Sequence, residues 1–133
     1  MRRFQAVYYR AADGTEPVND FIDRLGVERR VALDNQIGRL NLLSDANPHL
    51  PHPYSSQVDG ELRELRCHYG ASLYRILYRR SGGLIVLLHV FAKASKSVPE
   101  TEKRIARARW TDFKERMDAQ PRKLPRAAGR DAP

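Results

Sequence analysis

The feature that most constrains the fold is a change of periodicity near the middle of the chain. Before residue 47 apolar residues recur every three or four positions, as in amphipathic helices, whereas after residue 60 the pattern becomes extended. Three extended segments then follow one another with short turns between them, which favours an antiparallel meander. These strands are predicted at 61–66, 72–80 and 84–93.

The rest of the chain completes an α+β pattern. A stretch rich in aromatic and β-branched residues at 4–9 predicts an opening strand. Two apolar stripes at helical spacing predict a helical hairpin, with helices at about 15–25 and 27–43 that meet at Gly26. A C-terminal helix is predicted after a capping pattern at Ser97, with an apolar stripe formed by Ala106, Trp110, Phe113 and Met117.

The element order β, α, α, β, β, β, α predicts one small antiparallel sheet, with helices on one face and the other face open. The Pro-rich segment 47–53 is expected to be an irregular connection. Residues 1–117 are predicted to form one domain, and the Pro-, Arg- and Ala-rich residues 118–133 a basic, disordered tail. A functional site is expected on the open face.

Positive charge is concentrated in the second half of the chain. The formal net charge is +8, of which residues 1–59 contribute −1, residues 60–117 contribute +7 and residues 118–133 contribute +2. Such an asymmetry in a small domain indicates a polyanionic partner, either nucleic acid or the ribosome.

Composition also excludes several classes of protein. No apolar run approaches the roughly 20 residues of a membrane span, and no apolar stretch follows the basic N-terminus as in a signal peptide. We therefore expect a cytoplasmic protein with no membrane partner. Cys67 is a single cysteine and is expected to be reduced and buried. His49 and His52 have no further ligands at metal spacing, so neither a metal nor another cofactor is expected.

Strand alternation places charged side chains on a common face. Glu64 and Arg66 share a face of the first meander strand, and Arg75 and Arg79 share a face of the second. Arg75 has apolar residues two positions away on both sides, where a cation requires a partner or a groove. It could therefore bind a ligand or pair with Glu64 across the sheet, and the sequence leaves both possibilities open.

Two lysines lie just before the predicted C-terminal helix. Lys93 and Lys96 would add positive charge next to exposed backbone amides, an arrangement that favours phosphate. His89 ends an apolar run and is expected to be a hydrogen-bonded core residue rather than a general base. Without a metal or a histidine pair, RNA cleavage would use the ribose 2′-hydroxyl as nucleophile, which DNA lacks.

Several motifs resemble the RelE/ParE toxin superfamily, and more narrowly its HigB-like branch, which includes many phage-encoded proteins. They are ELR at 64–66, YRILY at 74–78, LLHVFAK at 87–93 and KSVPETE at 96–102. The resemblance covers about residues 3–117. It implies a RelE-like (microbial RNase-like) fold and an endonuclease that cuts messenger RNA on the ribosome. It also implies a helix-turn-helix (HigA-like) antitoxin as partner.

The resemblance also implies residue roles. Arg66, Arg75, Lys93 and Lys96 match the family's phosphate-binding and catalytic positions. We further expect three residues of the meander to contact nucleic acid, namely Arg63, His68 and Arg79.

The chain departs from the family pattern at four positions. Val90 replaces the usual glycine, Ala94 replaces the second lysine of a pair, and Leu62 and Glu64 stand where RelE carries lysines. Glu64 could act as a general base or form a salt bridge to Arg66 or Arg75. Two other functions therefore stay open: a ParE-like toxin that inhibits DNA gyrase, and a phage relative that only binds.

Overall fold

The computed structural model describes residues 3–93, 96–119 and 125–129. Its five strands and three helices follow the predicted order, with one additional strand before the meander. They are β1 (Gln5–Tyr8), α1 (Pro17–Asp23), α2 (Val27–Leu40), β2 (Ser55–Asp59), β3 (Leu62–Tyr69), β4 (Ser72–Ser81), β5 (Leu84–Ala92) and α3 (Glu100–Ala119).

The five strands form one sheet in the order β1-β5-β4-β3-β2. The meander β3–β4–β5 is antiparallel, as predicted, and β2 also pairs antiparallel, with β3. β1 instead pairs parallel to β5, so the expectation of a purely antiparallel sheet is wrong and the sheet is mixed. Because no hairpin connects β1 to β5, their relative direction is not constrained by a short turn.

β2 was not predicted, because its sequence carries no strong strand signal. Its five residues are SSQVD, and serine, glutamine and aspartate are not strand-forming residues. It lies at the edge of the sheet, pairs only with β3 and is interrupted by a register shift between Gln57 and Asp59. Polar, irregular edge strands of this kind protect a sheet from pairing with other chains.

Helices pack on both faces of the sheet, so the prediction that they share one face is wrong. α1 and α2 cover the first face, where Leu33 and Ile37 pack with Leu65 and Ile76. α3 covers part of the second face through Ala106 and Phe113, which belong to a separate apolar cluster. The physical reason is that β4 and β5 present apolar residues on both faces, and the second set is Leu77, Val86 and Leu88.

A β-bulge in β5 changes which side chains face α3. Leu77 of β4 pairs with His89, whereas the next residue, Tyr78, pairs with Leu87, so Leu88 is an extra residue in β5. Leu88 packs in the α3-side cluster and His89 forms hydrogen bonds to α3. The bulge therefore directs two successive side chains to the second face.

The segment 125–129 packs on the outer edge of β1, in contrast to the disorder predicted for 118–133. The Tyr8 amide donates to the Arg126 carbonyl at 2.9 Å, and the Ala128 amide donates to the Ala6 carbonyl at 2.7 Å. Asn41 of the loop after α2 joins the two, since it accepts from the Ala6 amide and donates to the Ala128 carbonyl. Residues 120–124 and 130–133 of the predicted tail lie outside the described residues.

Gly129 allows the segment to approach α2 closely. Its φ of +98° is unfavourable for other residues, and a Cβ there would lie 2.6 Å from Asn41 Nδ2 and 3.0 Å from Gly38 Cα. We expect Gly129→Ala to release the segment from β1. Hydrogen exchange at the Tyr8 and Ala128 amides should then accelerate about tenfold, which corresponds to a local loss of roughly 1.4 kcal/mol.

The matched control is Gly82→Ala, which also places alanine at a positive φ, of 58°, but in open space. It should leave exchange at Tyr8 and Ala128 unchanged. Equal acceleration in both variants would show that backbone strain elsewhere, and not the docking of 125–129, determines their protection.

Candidate active site

Three cross-strand rows of side chains run over β3, β4 and β5 on the face that α3 covers in part. The rows, in order along β3, are Glu64–Leu77–His89, Arg66–Arg75–Phe91 and His68–Leu73–Lys93. In the last row the backbone amide of Lys93 donates to the Leu73 carbonyl at 3.2 Å, just beyond the end of β5. The alternation predicted from the sequence thus places Glu64, Arg66 and Arg75 on one face.

Arg75 is buried, with 1% of its surface exposed. Its Nε donates to Glu64 Oε2 at 2.9 Å, and its two terminal nitrogens donate to the carbonyls of Lys96 and Ser97 at 3.3 and 3.5 Å. The guanidinium carbon lies 5.5 Å from the centre of the Phe91 ring. The cross-sheet ion pair, one of the two possibilities for Arg75, is therefore present, and in this structure its guanidinium contacts protein rather than solvent.

Glu64 lies between two arginines. It is 3% exposed, and it accepts a hydrogen bond from Ser56 Oγ at 3.2 Å as well as the bond from Arg75. Arg66 Nε lies 3.7 Å from Glu64 Oε1, the carboxylate oxygen that does not accept from Arg75. Because Arg66 and Arg75 are directly opposite in register, Glu64 offsets the repulsion between two like charges.

Exposed cationic side chains surround this buried pair. Lys93, Lys96 and His68 are exposed, and Arg66 is partly exposed. Lys96 is linked to the pair through its carbonyl, which accepts from Arg75. Three of the predicted catalytic residues, Arg66, Lys93 and Lys96, therefore border a surface accessible to a ligand. The fourth, Arg75, lies beneath that surface. Ala94, the position of the missing second lysine, lies outside the described residues.

Arg63 and Arg79 lie away from this surface. They sit near the opposite end of β3 and β4, where both line a groove that also contains Arg80 and His49. Arg79 pairs with Glu61 at 2.9 Å and stacks over Trp110 of α3. The structure thus divides the predicted nucleic-acid contacts between two regions, with His68 in one and both arginines in the other.

His89 connects β5 to α3. The Arg109 guanidinium can only donate, so His89 Nδ1 accepts from it at 3.2 Å and Nε2 carries the proton that is donated to Glu102 Oε1 at 2.6 Å. Burial lowers the pKa of His89 below 6.5, opposed in part by its hydrogen bond to Glu102. Both ring nitrogens are engaged, which agrees with the expectation of a hydrogen-bonded histidine rather than a general base.

In the described part of the chain, neither Cys67 nor a cluster of metal-ligating side chains provides a further reactive site. Cys67 is buried, and burial raises the pKa of its thiol to about 12. Within residues 3–93, 96–119 and 125–129, no three His, Cys, Asp or Glu side chains are grouped as metal ligands would be. None of the helices in these ranges has the length and apolar character of a membrane span.

Sequence reasoning missed the partners of His89 and the second basic region. Glu102 and Arg109 face β5 because helical spacing brings them onto the same side of α3 as Ala106. Glu102 lies in the KSVPETE motif, so the sequence did contain a signal for this residue. The grouping of His49 with Arg63 and Arg80 depends on a loop and two strand ends, and no motif indicates it.

Comparison with known families assigns the chain to one of them. The model of the family "Phage derived protein Gp49-like (DUF891)" matches residues 20–111, more than half of the chain and all of the meander. The chain therefore belongs to the Gp49-like family of phage-derived proteins, which is a RelE/toxin-like family. No curated protein matches the sequence.

The buried ion pair is tested by a double-mutant cycle. We expect Arg75→Ala to lower the free energy of unfolding by about 3–5 kcal/mol, because it leaves the Glu64 carboxylate buried without its main partner. The double variant Arg75→Ala/Glu64→Ala should lose less than the sum of the single variants, with a coupling of about 1–3 kcal/mol in urea unfolding.

The exposed pair Arg79–Glu61 is the control for this cycle, with an expected coupling of about 0.2–1 kcal/mol. A coupling for Arg75 and Glu64 no larger than that of the control would contradict the assigned role of the buried pair.

The lowered pKa of His89 predicts pH-dependent stability. Between its folded and unfolded pKa values the unfolded chain binds more protons, so the free energy of unfolding falls as the pH is lowered through the unfolded pKa of about 6.5. His49 contributes with the same sign, since its pKa is also lowered. Urea unfolding of His89→Gln and His49→Gln should show a smaller pH dependence than the original chain. If His89→Gln retains the full dependence, the His89 contacts do not persist in solution.

Proposed function

We propose that this protein is the toxin of a type II toxin–antitoxin system and that it cleaves ribosome-associated messenger RNA. The observation that supports this most is the set of basic residues around the buried Glu64–Arg75 pair: Lys93, Lys96 and His68 are exposed, and Arg66 is partly exposed. Membership of a RelE/toxin-like family supports the same conclusion independently of the site.

The geometry suits binding of a phosphodiester. Lys93 and Lys96 supply mobile charges, and Arg66 supplies a forked donor at the edge of the pair. Arg75 acts as a positioning residue, because it holds the carbonyls of Lys96 and Ser97 and so fixes the segment that carries Lys96. His68 lies in the adjacent row, where its ring is exposed and could stack on a base.

The chemistry proposed is attack by the ribose 2′-hydroxyl on the adjacent phosphorus. A bond forms from the 2′-oxygen to phosphorus while the 2′-hydroxyl proton passes to water. The bond to the 5′-oxygen breaks and that oxygen takes a proton from water, so the products are a 2′,3′-cyclic phosphate and a 5′-hydroxyl. Arg66, Lys93 and Lys96 stabilise the additional negative charge on the phosphate as the transition state forms. DNA is not a substrate for this reaction, since it lacks the nucleophile.

The proposal includes the partners implied by the toxin class. A helix-turn-helix (HigA-like) antitoxin would neutralise the protein, and the ribosome would present the messenger RNA in the cytoplasm. Positive charge on the meander is compatible with both a ribosomal and an RNA partner.

The test is controlled expression in a bacterial host, with 5′ ends of messenger RNA mapped soon after induction. We expect new 5′-hydroxyl ends at codon-related positions within translated regions. Arg66→Ala and Lys96→Ala should reduce these ends about a hundredfold, as expected for loss of a charged contact to the transition state. Lys96 is exposed, so Lys96→Ala should unfold at the temperature of the original protein. Arg66 is 22% exposed and contacts Glu64, so thermal unfolding of Arg66→Ala is measured beside its cleavage to separate lost chemistry from lost stability.

Arg104→Ala is the matched control, because Arg104 is exposed on α3 away from the sheet. It should leave cleavage unchanged. Growth arrest with DNA damage and no new RNA ends would replace the proposal with gyrase inhibition. Soluble, folded protein with neither arrest nor cleavage would show that this fold is used here for binding alone.

A further inference from the structure

A second groove lies near the turns between strands, on the side of the sheet that α2 covers. It has a volume of about 570 Å³ and is enclosed by the loop after α2 and by the ends of β2, β3, β4 and β5. We call it the hairpin-end groove and define it by its main lining residues, Leu43, Pro48, His49, Arg63, Tyr78 and Arg80.

Two of its arginines lack a carboxylate partner within the described residues. Arg63 has only a long contact, 3.4 Å, from a terminal nitrogen to Ser55 Oγ, and its buried Nε has no acceptor there. Arg80 lies over the Phe4 ring at 4.7 Å. The carboxylates in the wall are Glu61, which pairs with Arg79, and Asp45, which has an interaction of its own. Donors are thus available for an anion.

The charges of Arg63 and Arg80 converge on His49. Burial lowers the pKa of this imidazole most, and the positive charges of Arg63 and Arg80 lower it further. Arg63, Arg80 and His49 all line this groove, so the three side chains border the same space. A phosphate between the two arginines would relieve their mutual repulsion.

The apolar wall indicates what an anion in this groove would be attached to. Pro48 is partly exposed beside the arginines, Leu43 and Ile85 line the groove with 3% and 4% of their surface exposed, and the volume lies in the range of small-molecule sites. Inorganic phosphate would leave this surface unused, whereas a base and ribose would cover it. Forked guanidinium donors match phosphate oxygens.

We propose that the hairpin-end groove binds a nucleoside phosphate, with the phosphate at Arg63 and Arg80 and the base against the apolar wall. The nucleotide could be free or a unit of an RNA chain. The groove is separate from the candidate active site, because it lies on the side of the sheet that α2 covers, whereas Glu64, Arg66 and Arg75 lie on the side of α3. Arg63 also lies on the opposite face from Arg66, and the proposal does not depend on ribonuclease activity.

The experiment is an NMR titration of the full chain with four probes: 5′-AMP, adenosine, inorganic phosphate and the hexaribonucleotide rA6. We expect 5′-AMP to bind more tightly than adenosine or phosphate, with shifts at His49, Arg63 and Arg80. The variant Arg63→Gln/Arg80→Gln should weaken 5′-AMP binding about tenfold or more. The control Arg24→Gln/Arg104→Gln, which removes two exposed arginines elsewhere, should change it by less than about twofold.

The probes distinguish the two sources of the nucleotide. Tighter binding of rA6 than of 5′-AMP, lost in the Arg63→Gln/Arg80→Gln variant, indicates a unit of RNA, whereas equal affinity indicates the free nucleotide. The proposal is overturned if 5′-AMP and rA6 leave the groove unshifted. It is also overturned if hexaglutamate and rA6 displace 5′-AMP at equal concentrations, which would indicate an acidic protein partner. Arg66→Ala should retain 5′-AMP binding, so failure of the ribonuclease proposal leaves this result intact.

Discussion

The buried ion pair between Arg75 and Glu64 is the interaction on which the candidate active site depends. Burying two charges is unfavourable unless each has a partner and the remaining donors are bonded. Here Glu64 satisfies the Nε of Arg75, and the carbonyls of Lys96 and Ser97 accept from its terminal nitrogens. The pair therefore joins β3, β4 and the segment before α3, and it determines where Lys96 stands. Because Arg66 lies opposite Arg75, two cations share one carboxylate, and the surface stays positive after pairing. An incoming phosphate is attracted to such a surface.

Much of the fold follows from local patterns in the sequence, and what was missed depends on contacts between distant residues. Periods of two and of three to four residues are local properties, so the helical hairpin, the meander and α3 were predicted close to their observed positions. The parallel pairing of β1 with β5 and the docking of 125–129 on β1 are decided by which edges remain free once the meander has formed. β2 is polar and pairs on one side only, so its strand character comes from β3 rather than from its own residues.

The candidate site shows the same division. Alternation correctly grouped Glu64, Arg66 and Arg75, because side chains two residues apart share a face. It also separates Arg63 from Arg66, since three residues of strand reverse the side to which a side chain points. Whether Arg75 would be free or paired could not be decided from the sequence. That outcome depends on the diagonal neighbour in the register and on two carbonyls some 20 residues further along the chain.

The distribution of paired charges indicates which surface meets a polyanion. Residues 60–99 carry seven Lys and Arg against two Asp and Glu, so the meander and the segment after it hold +5 of the +7 found in residues 60–117. On α3, by contrast, several cations are matched by nearby carboxylates: Lys103 and Arg107 contact Glu100, and Arg116 contacts Asp112. Exposed pairs of this kind cancel at the distance of a ligand in physiological salt. The net positive field therefore arises from the strands, and any polyanion should be drawn to the sheet rather than to the exposed side of the last helix.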